Sequence, residues 1–331
     1  MGLRITATVE RWPVAGQFII ARGAKTFVDV LVVAVSDGMH IGYGEGTAIY
    51  YLGETAEKCL GQVERLIDRL EPHSVANARA LAQIDLPQGA ARNALDCALW
   101  DLEAKARGTE LWQLVGLDAP PKPLATAFTV SLGEAEVMEA GAAAASAKGF
   151  GLLKLKLMGT GDRERVSAVR TGAPDARLIV DANESWGGLD IEAEAAALAE
   201  LGVEMIEQPV PAGQDSMLAG IKSVLPILAD ESCHSAADVA RLALYYDGVN
   251  IKLDKAGGLT EALKIADAAK EAGMKSMVGC MLSTSLGISP AFLVAQRADW
   301  VDLDGPALLA KDRPDGFGFA DGKIIPPAKL L

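Results

Sequence analysis

The chain has 331 residues, 50% of them hydrophobic and only 5% aromatic, with a formal net charge of −13 at pH 7. Such acidity argues against a nucleic-acid partner, whose phosphates need a basic surface, and no apolar run of about 18 residues offers a membrane span. Four scattered cysteines without a CxxC pair, and an N-terminus without a basic segment leading into an apolar run, fit a cytoplasmic protein with reduced thiols.

In chain order, residues 3–10, 27–35 and 40–47 alternate in the strand manner, with Ser36-Asp37-Gly38 as the turn between the last two. Helical patterns follow at 54–70, about 75–84 and 89–106, and the run Asp118-Ala-Pro-Pro-Lys-Pro123 has the composition of a linker. Beyond it, short apolar runs recur at 126–131, 153–157, 177–181, 203–207, 226–230, 248–253, 275–280 and 299–303. Between them lie Ala-rich amphipathic segments such as 134–148, 190–201, 235–245 and 260–272. Eight strands, each followed by a helix except at the end, predict a (β/α) barrel. An open doubly wound sheet is the alternative, but it lacks a Gly-rich fingerprint after its first strand. The tail, with its Pro and Gly residues, has the character of a closing segment.

Charges fall where buried strands should be dry. Lys154 and Lys156 interrupt one strand; Asp181, Glu207 and Asp230 each close another; Lys252 lies inside a sixth, and Asp302 and Asp304 sit at the last. From Lys156 the steps are 25, 26, 23 and 22 residues to Asp181, Glu207, Asp230 and Lys252. Each step is one strand, one helix and two loops, so the five residues are expected at equivalent heights near the C-terminal face, where barrels place their chemistry. Three converging carboxylates repel unless a cation sits among them, and an all-oxygen set favours Mg²⁺, with Mn²⁺ as substitute. The blander reading is that each acid caps the following helix or pairs with a nearby base. Lys156 and Lys252 flank the acids in strand order and are expected to face each other across the barrel mouth, with Lys154 supplying like charge beside Lys156. Either the lysines only neutralise the acids, or they take and return a proton on opposite faces of a substrate.

The motifs Lys154-Leu-Lys156, Asp181-Ala-Asn183, Glu207-Gln208-Pro209, Asp230-Glu231-Ser232 and Asn250-Ile-Lys252 resemble the enolase superfamily, within its muconate-lactonizing-like group. The resemblance runs over nearly the whole chain. It implies a modified (β/α)₇β TIM-type barrel over residues 118–310, an N-terminal α+β capping domain over 1–117, and a C-terminal segment, 311–331, closing back on the cap. Carried over by position, it makes Asp181, Glu207 and Asp230 the Mg²⁺ ligands and Lys156 and Lys252 the acid/base pair. The run Asp302-Leu-Asp304-Gly-Pro is similar to that of the dipeptide epimerases, including those acting on L-Ala-D/L-Glu. It implies inversion of the C-terminal residue of an L-Ala-Xaa dipeptide through an enediolate, best L-Ala-D-Glu/L-Ala-L-Glu from murein recycling, with the two acids receiving the ammonium end. Arg22, in a segment expected to be a mobile loop over the substrate, is a candidate for a side-chain carboxylate; Thr129, Lys154 and Met281 are candidate pocket residues. The segment after Glu45 departs from the family pattern, reading Gly46-Thr-Ala-Ile-Tyr50-Tyr51-Leu-Gly53 where a Pro/Tyr/Gly-containing loop is expected.

Other readings on the same scaffold are racemisation of N-acylamino acids, o-succinylbenzoate synthesis and muconate cycloisomerisation, whose substrates give paired acids at 302 and 304 nothing to bind. A Schiff-base aldolase would need one buried lysine and no acid trio. A barrel kept only for binding should have lost a ligand or a lysine, and none is missing. The expected partner is a small dipeptide, with a homo-oligomer compatible with the sequence and neither nucleic acid nor membrane.

Overall fold

The alternation at the N-terminus produces a three-stranded antiparallel sheet, β1 (Arg4–Ile20), β2 (Gly23–Ser36) and β3 (Ile41–Thr47), in that spatial order. The computed structural model describes residues 2–20 and 23–328. β1 is twice the expected length, with a register shift between Pro13 and Phe18, after which Phe18, Ile19 and Ile20 pair with Lys25, Ala24 and Gly23. The segment expected as a free loop is therefore flanked by paired strand; Arg22 itself lies outside the described residues.

Three alternate glycines on β3 explain how the sheet is covered. A side chain at Gly42, Gly44 or Gly46 would strike the backbone carbonyls of Ala98, Ala94 and Ala90. These alanines recur every four residues along one stripe of the helix Ala90–Ala106 and are fully buried. Glycine every second residue against alanine every fourth brings strand and helix into backbone contact. The expected helix over 54–70 is broken into Ala56–Glu64 and Ile67–Leu70.

β4 (Leu124–Ala125) leads into eight parallel strands: β5 (Phe128–Val130), β6 (Leu152–Lys156), β7 (Arg177–Asp181), β8 (Val203–Glu207), β9 (Ile227–Ala229), β10 (Gly248–Ile251), β11 (Lys275–Gly279) and β12 (Trp300–Asp302). They are hydrogen-bonded in sequence order, and Ala127 N donating to Val301 O (2.8 Å) closes the seam between the first and the last. This is the expected barrel under an α+β cap. One connection differs: β8 is followed only by the 3₁₀ turn Asp215–Leu218, because Pro209, Pro211, Gly213 and Gly220 interrupt the segment. Ala127, Leu152, Ile179, Met205, Leu228, Met277 and Trp300 form a buried apolar layer inside the barrel. β13 (Gly318–Ala320) and β14 (Lys323–Ile325) pair with each other, and β14 pairs with β4, so this part of the tail lies on the barrel. Arg313, earlier in the tail, reaches the cap through Glu10 and Glu45.

The cap is pinned to the barrel by buried polar groups. Arg92 donates to the carbonyls of Ala256 and Gly257, Asn93 to Asp254, and Thr47 N to the same Asp254 oxygen (2.8 Å). Glu45 accepts from Thr284 N (2.8 Å) and Arg313 (2.9 Å).

Candidate active site

Strand register accounts for the convergence of the charges. Lys156 pairs with Asp181, Asp181 with Glu207, Glu207 with Leu228, and Leu228 with Gly248. In a tilted eight-stranded barrel of shear about 8, a level perpendicular to the axis climbs roughly one residue per strand relative to this hydrogen-bonded row. Lys252 is four residues beyond Gly248 and four strands from Lys156, so the two lysines share a level. Asp302 pairs with Gly279, next to Lys252 in the row, so Asp304 comes to the same level two strands further on. Lys154 and Asp302 then belong one layer lower, and they touch: Lys154 Nζ to Asp302 Oδ2 is 2.8 Å.

The three acids meet at the end of the barrel axis. One oxygen from each of Asp181, Glu207 and Asp230 lies within 4.8 Å of the others, and all three residues are buried. Lys156 Nζ stands 2.6 Å from Asp181 Oδ2 on one flank; Lys252 Nζ stands 2.7 Å from Asp230 Oδ2 on the other. Lys154 lies beneath, 2.6 Å from Glu207 Oε2 and 3.5 Å from Asp181 Oδ2. Burial and the neighbouring Asp181 carboxylate push Glu207 up to about 7. Burial alone would also raise Asp181 and Asp230, but the ammonium groups beside them hold both below the usual carboxylate range. Burial alone would lower Lys252, yet the Asp230 carboxylate and its neighbours keep it well above its ordinary value. Burial and the neighbouring carboxylates disfavour the charge on Glu207, a cost that a cation among the three acids would offset, and oxygen-only donors suit a hard divalent ion. The residues present fit such an ion.

The eighth-strand acids differ from each other. Asp302 is engaged by Lys154, with its second oxygen buried and without a hydrogen-bond partner among the described residues. Asp304 accepts from Thr129 N (2.6 Å), and burial together with the Asp302 charge pushes it up to about 7. Thr129 thus meets Asp304 directly. Met281 lines the pocket above the acids together with Phe18, Lys25, Tyr50, Tyr51, Asn183 and Glu231.

Several further groups, to which the sequence motifs assigned no role, complete the site. Lys255 is fully buried, donating to the carbonyls of Asp230, Cys233 and Asn250 and standing 2.6 Å from Asp230 Oδ1; it lies three residues, nearly one helical turn, after Lys252. Asn250 donates to Glu207 Oε1 (2.6 Å) from within the quoted Asn-Ile-Lys motif. Gly279 must lack a side chain, since a Cβ would lie 2.8 Å from Asn250 Oδ1 and 3.1 Å from Lys252 Cε. Lys25, opposite Phe18 on the N-terminal hairpin, sits 4.7 Å from the Tyr50 ring centre, and burial lowers its pKa. No local signal marks Lys25, because only the folding of the cap over the barrel brings it to the pocket.

An α+β cap over a barrel whose mouth holds three acids between two lysines defines a class of proteins, and comparison with known proteins gives the same class. The model of the mandelate racemase / muconate lactonizing enzyme N-terminal domain matches residues 3–116, and that of the enolase C-terminal domain-like family matches residues 136–329. The chain belongs to the mandelate racemase / muconate lactonizing enzyme family of the enolase superfamily. It is 43% identical to the L-Ala-D/L-Glu epimerase of Escherichia coli K12, over 95% of this chain and 97% of that protein. It is 39% identical to an N-acetyl-D-glutamate racemase of a Pseudoalteromonas species, over 91% and 94%. Among solved structures, an enolase family member from Agrobacterium tumefaciens with homology to dipeptide epimerases, bound to sodium and L-Ala-L-Glu, shares 46% identity (TM-score 0.92, 98% of both chains). A dipeptide epimerase from Cytophaga hutchinsonii, complexed with Mg and D-Ala-L-Val, shares 28% (TM-score 0.93, 100% and 95%).

Proposed function

We propose that this chain is a dipeptide epimerase that inverts the α-carbon of the C-terminal residue of L-Ala-Xaa dipeptides, with L-Ala-D-Glu and L-Ala-L-Glu as the preferred pair. The observation that carries this reading is the pair of lysines on opposite flanks of one carboxylate trio, 2.6 Å and 2.7 Å from its outer members. Asp181, Glu207 and Asp230 are the residues that would hold Mg²⁺, or Mn²⁺ in its place. When bound, such an ion supplies positive charge beside a substrate carboxylate that is gaining a second negative charge.

The chain's own groups do the rest. A lysine on one flank, neutral once a cation among the acids would offset the carboxylate charge that holds it protonated, takes the α-proton, leaving a planar enediolate, and the ammonium on the other flank delivers a proton to the opposite face. Lys156 serves one epimer as base and Lys252 the other. Glu207 is kept in place by Asn250, and Asp230 by Lys255. Asp302 and Asp304 form the acceptor for the ammonium of the N-terminal L-Ala, and the buried second oxygen of Asp302 is suited to that donor. Lys25, which lines the pocket beside Tyr50, fits a glutamate side-chain carboxylate.

A second reading, racemisation of N-acylglutamate, is supported by the Pseudoalteromonas relative and by Asp302 already being paired with Lys154. The acetyl end of such a substrate offers no cation for Asp304. One experiment separates the two: L-Ala-L-Glu, L-Ala-D-Glu and N-acetylglutamate are each incubated in D₂O with Mg²⁺, then with EDTA. Deuterium entering the glutamate α-position of both dipeptide epimers, and stopping on chelation, is expected. Exchange confined to N-acetylglutamate refutes the dipeptide assignment. The four cysteines are free thiols, which supports a reducing cytoplasmic setting, where murein-derived dipeptides would be recycled.

A further inference from the structure

Behind the acid trio lies a buried chain of polar side chains, Gln208, Ser232, Tyr246 and Asp215. Gln208 directly follows Glu207 and is fully buried, with a backbone φ of 36° in the left-handed region. Such a conformation costs a non-glycine residue about 1–3 kcal/mol and persists only where the surroundings enforce it. Its carbonyl oxygen accepts from the backbone N–H groups of Asp230 (2.8 Å) and Ser232 (3.1 Å), and its amide nitrogen donates toward Val210 O, Ser232 Oγ and Tyr246 OH (2.8–3.0 Å).

The direction of this chain is set from its far end. Asp215 can only accept, and burial is outweighed by its hydrogen bonds and by Arg241, which keep it ionised. Ser232 Oγ (2.5 Å) and Tyr246 OH (2.8 Å) must therefore both donate to Asp215 Oδ1. Their lone pairs are left to accept from Gln208, so the Gln208 NH₂ faces them and its carbonyl faces the Asp230 backbone. A flipped amide would set NH₂ against two backbone N–H groups.

We infer that Gln208, oriented by Tyr246 and Asp215, is the positioning residue that fixes Glu207 and Asp230 relative to each other, one by chain continuity and the other through its backbone. This rests on the reading of the acid trio as a divalent-cation site. Only an amide meets both sets of partners: a carboxylate in its place would turn an acceptor toward Val210 O.

The test is Mg²⁺ titration by calorimetry of the full chain and of Gln208→Glu and Tyr246→Phe, below their melting temperatures, with those temperatures measured without Mg²⁺. Loss of groups that orient metal ligands typically weakens affinity 10–100-fold; that range is expected for Gln208→Glu, and about 10-fold for Tyr246→Phe. In Tyr246→Phe, kcat on L-Ala-L-Glu recovers at saturating Mg²⁺ while the dipeptide KM stays unchanged, which general loosening of the barrel would not produce. Mg²⁺ affinity of Tyr246→Phe within twofold of the unsubstituted chain overturns the inference, whether or not Gln208→Glu folds. Absence of Mg²⁺ binding by the unsubstituted chain overturns the cation-site reading itself.

Discussion

Replacing Lys156 or Lys252 by alanine separates the two halves of the proposed reaction. Removal of a positioned acid/base group costs about 10²–10⁴-fold, and because inversion needs both lysines, either variant should lose epimerisation by the upper end of that range. Neither loss strands a buried acid. Without Lys156, Asp181 keeps Lys154 at 3.5 Å and the Asn183 N–H at 2.9 Å; without Lys252, Asp230 keeps Lys255 at 2.6 Å. Destabilisation should therefore stay below the 3–5 kcal/mol of an uncompensated buried charge, and both variants should remain folded. Proton NMR in D₂O then reads α-proton exchange separately from L-Ala-L-Glu and L-Ala-D-Glu. Each variant should exchange one epimer only, and the two variants should exchange opposite ones. Exchange of the same epimer by both, or epimerisation above a tenth of the starting rate in either, would refute two bases on opposite faces.

Lys25→Met should raise KM for L-Ala-L-Glu about 10–100-fold, the scale of one lost hydrogen bond to a charged group, while leaving an apolar dipeptide such as L-Ala-L-Leu unaffected; equal effects on both would exclude side-chain recognition. Asp304→Asn should weaken dipeptide binding with Mg²⁺ affinity unchanged, as measured by KM and calorimetry. Asp254, buried and receiving Thr47 N and Asn93, is pushed up to about 7 by burial. Its folded pKa lies above the unfolded value near 4, so stability should fall as pH rises from about 4 to 7 and level off above. Asp254→Asn, which can still accept both hydrogen bonds, should remove that fall and be more stable at pH 8, by on the order of a few kcal/mol; an unchanged pH profile of urea midpoints would contradict this. Gly44→Ala would drive its Cβ into the Ala94 carbonyl and should cost at least the 1–3 kcal/mol typical of overpacking, seen as a lower melting temperature.

The spacing of Lys156, Asp181, Glu207, Asp230 and Lys252 made the barrel and the order of its charged strands legible, because a βα unit has a nearly fixed length and a charge inside a dry strand is costly. The helix-like texture of 54–70 hid a break, and the stretch after β8 hid the lack of a full helix. The second strand-like half of β1 was hidden too: Gly16 and the shift after Pro13 interrupt the alternation. Lys25, Lys255 and Gln208 carry no periodic mark; each matters through partners more than 20 residues away.

What the sequence alone determined was therefore the barrel, the strand and helix segments ahead of it, and which strands bring acids and lysines to the mouth. These follow from periodicity and from desolvation, which act along the chain. Tertiary structure decided the pairings: that Lys154 engages Asp302 while Thr129 engages Asp304, that an N-terminal hairpin delivers Lys25 to the pocket, and that a glutamine orders two neighbouring acids. Barrel shear and the docking of the cap set these contacts, and both are properties of the closed fold that no local stretch of sequence encodes.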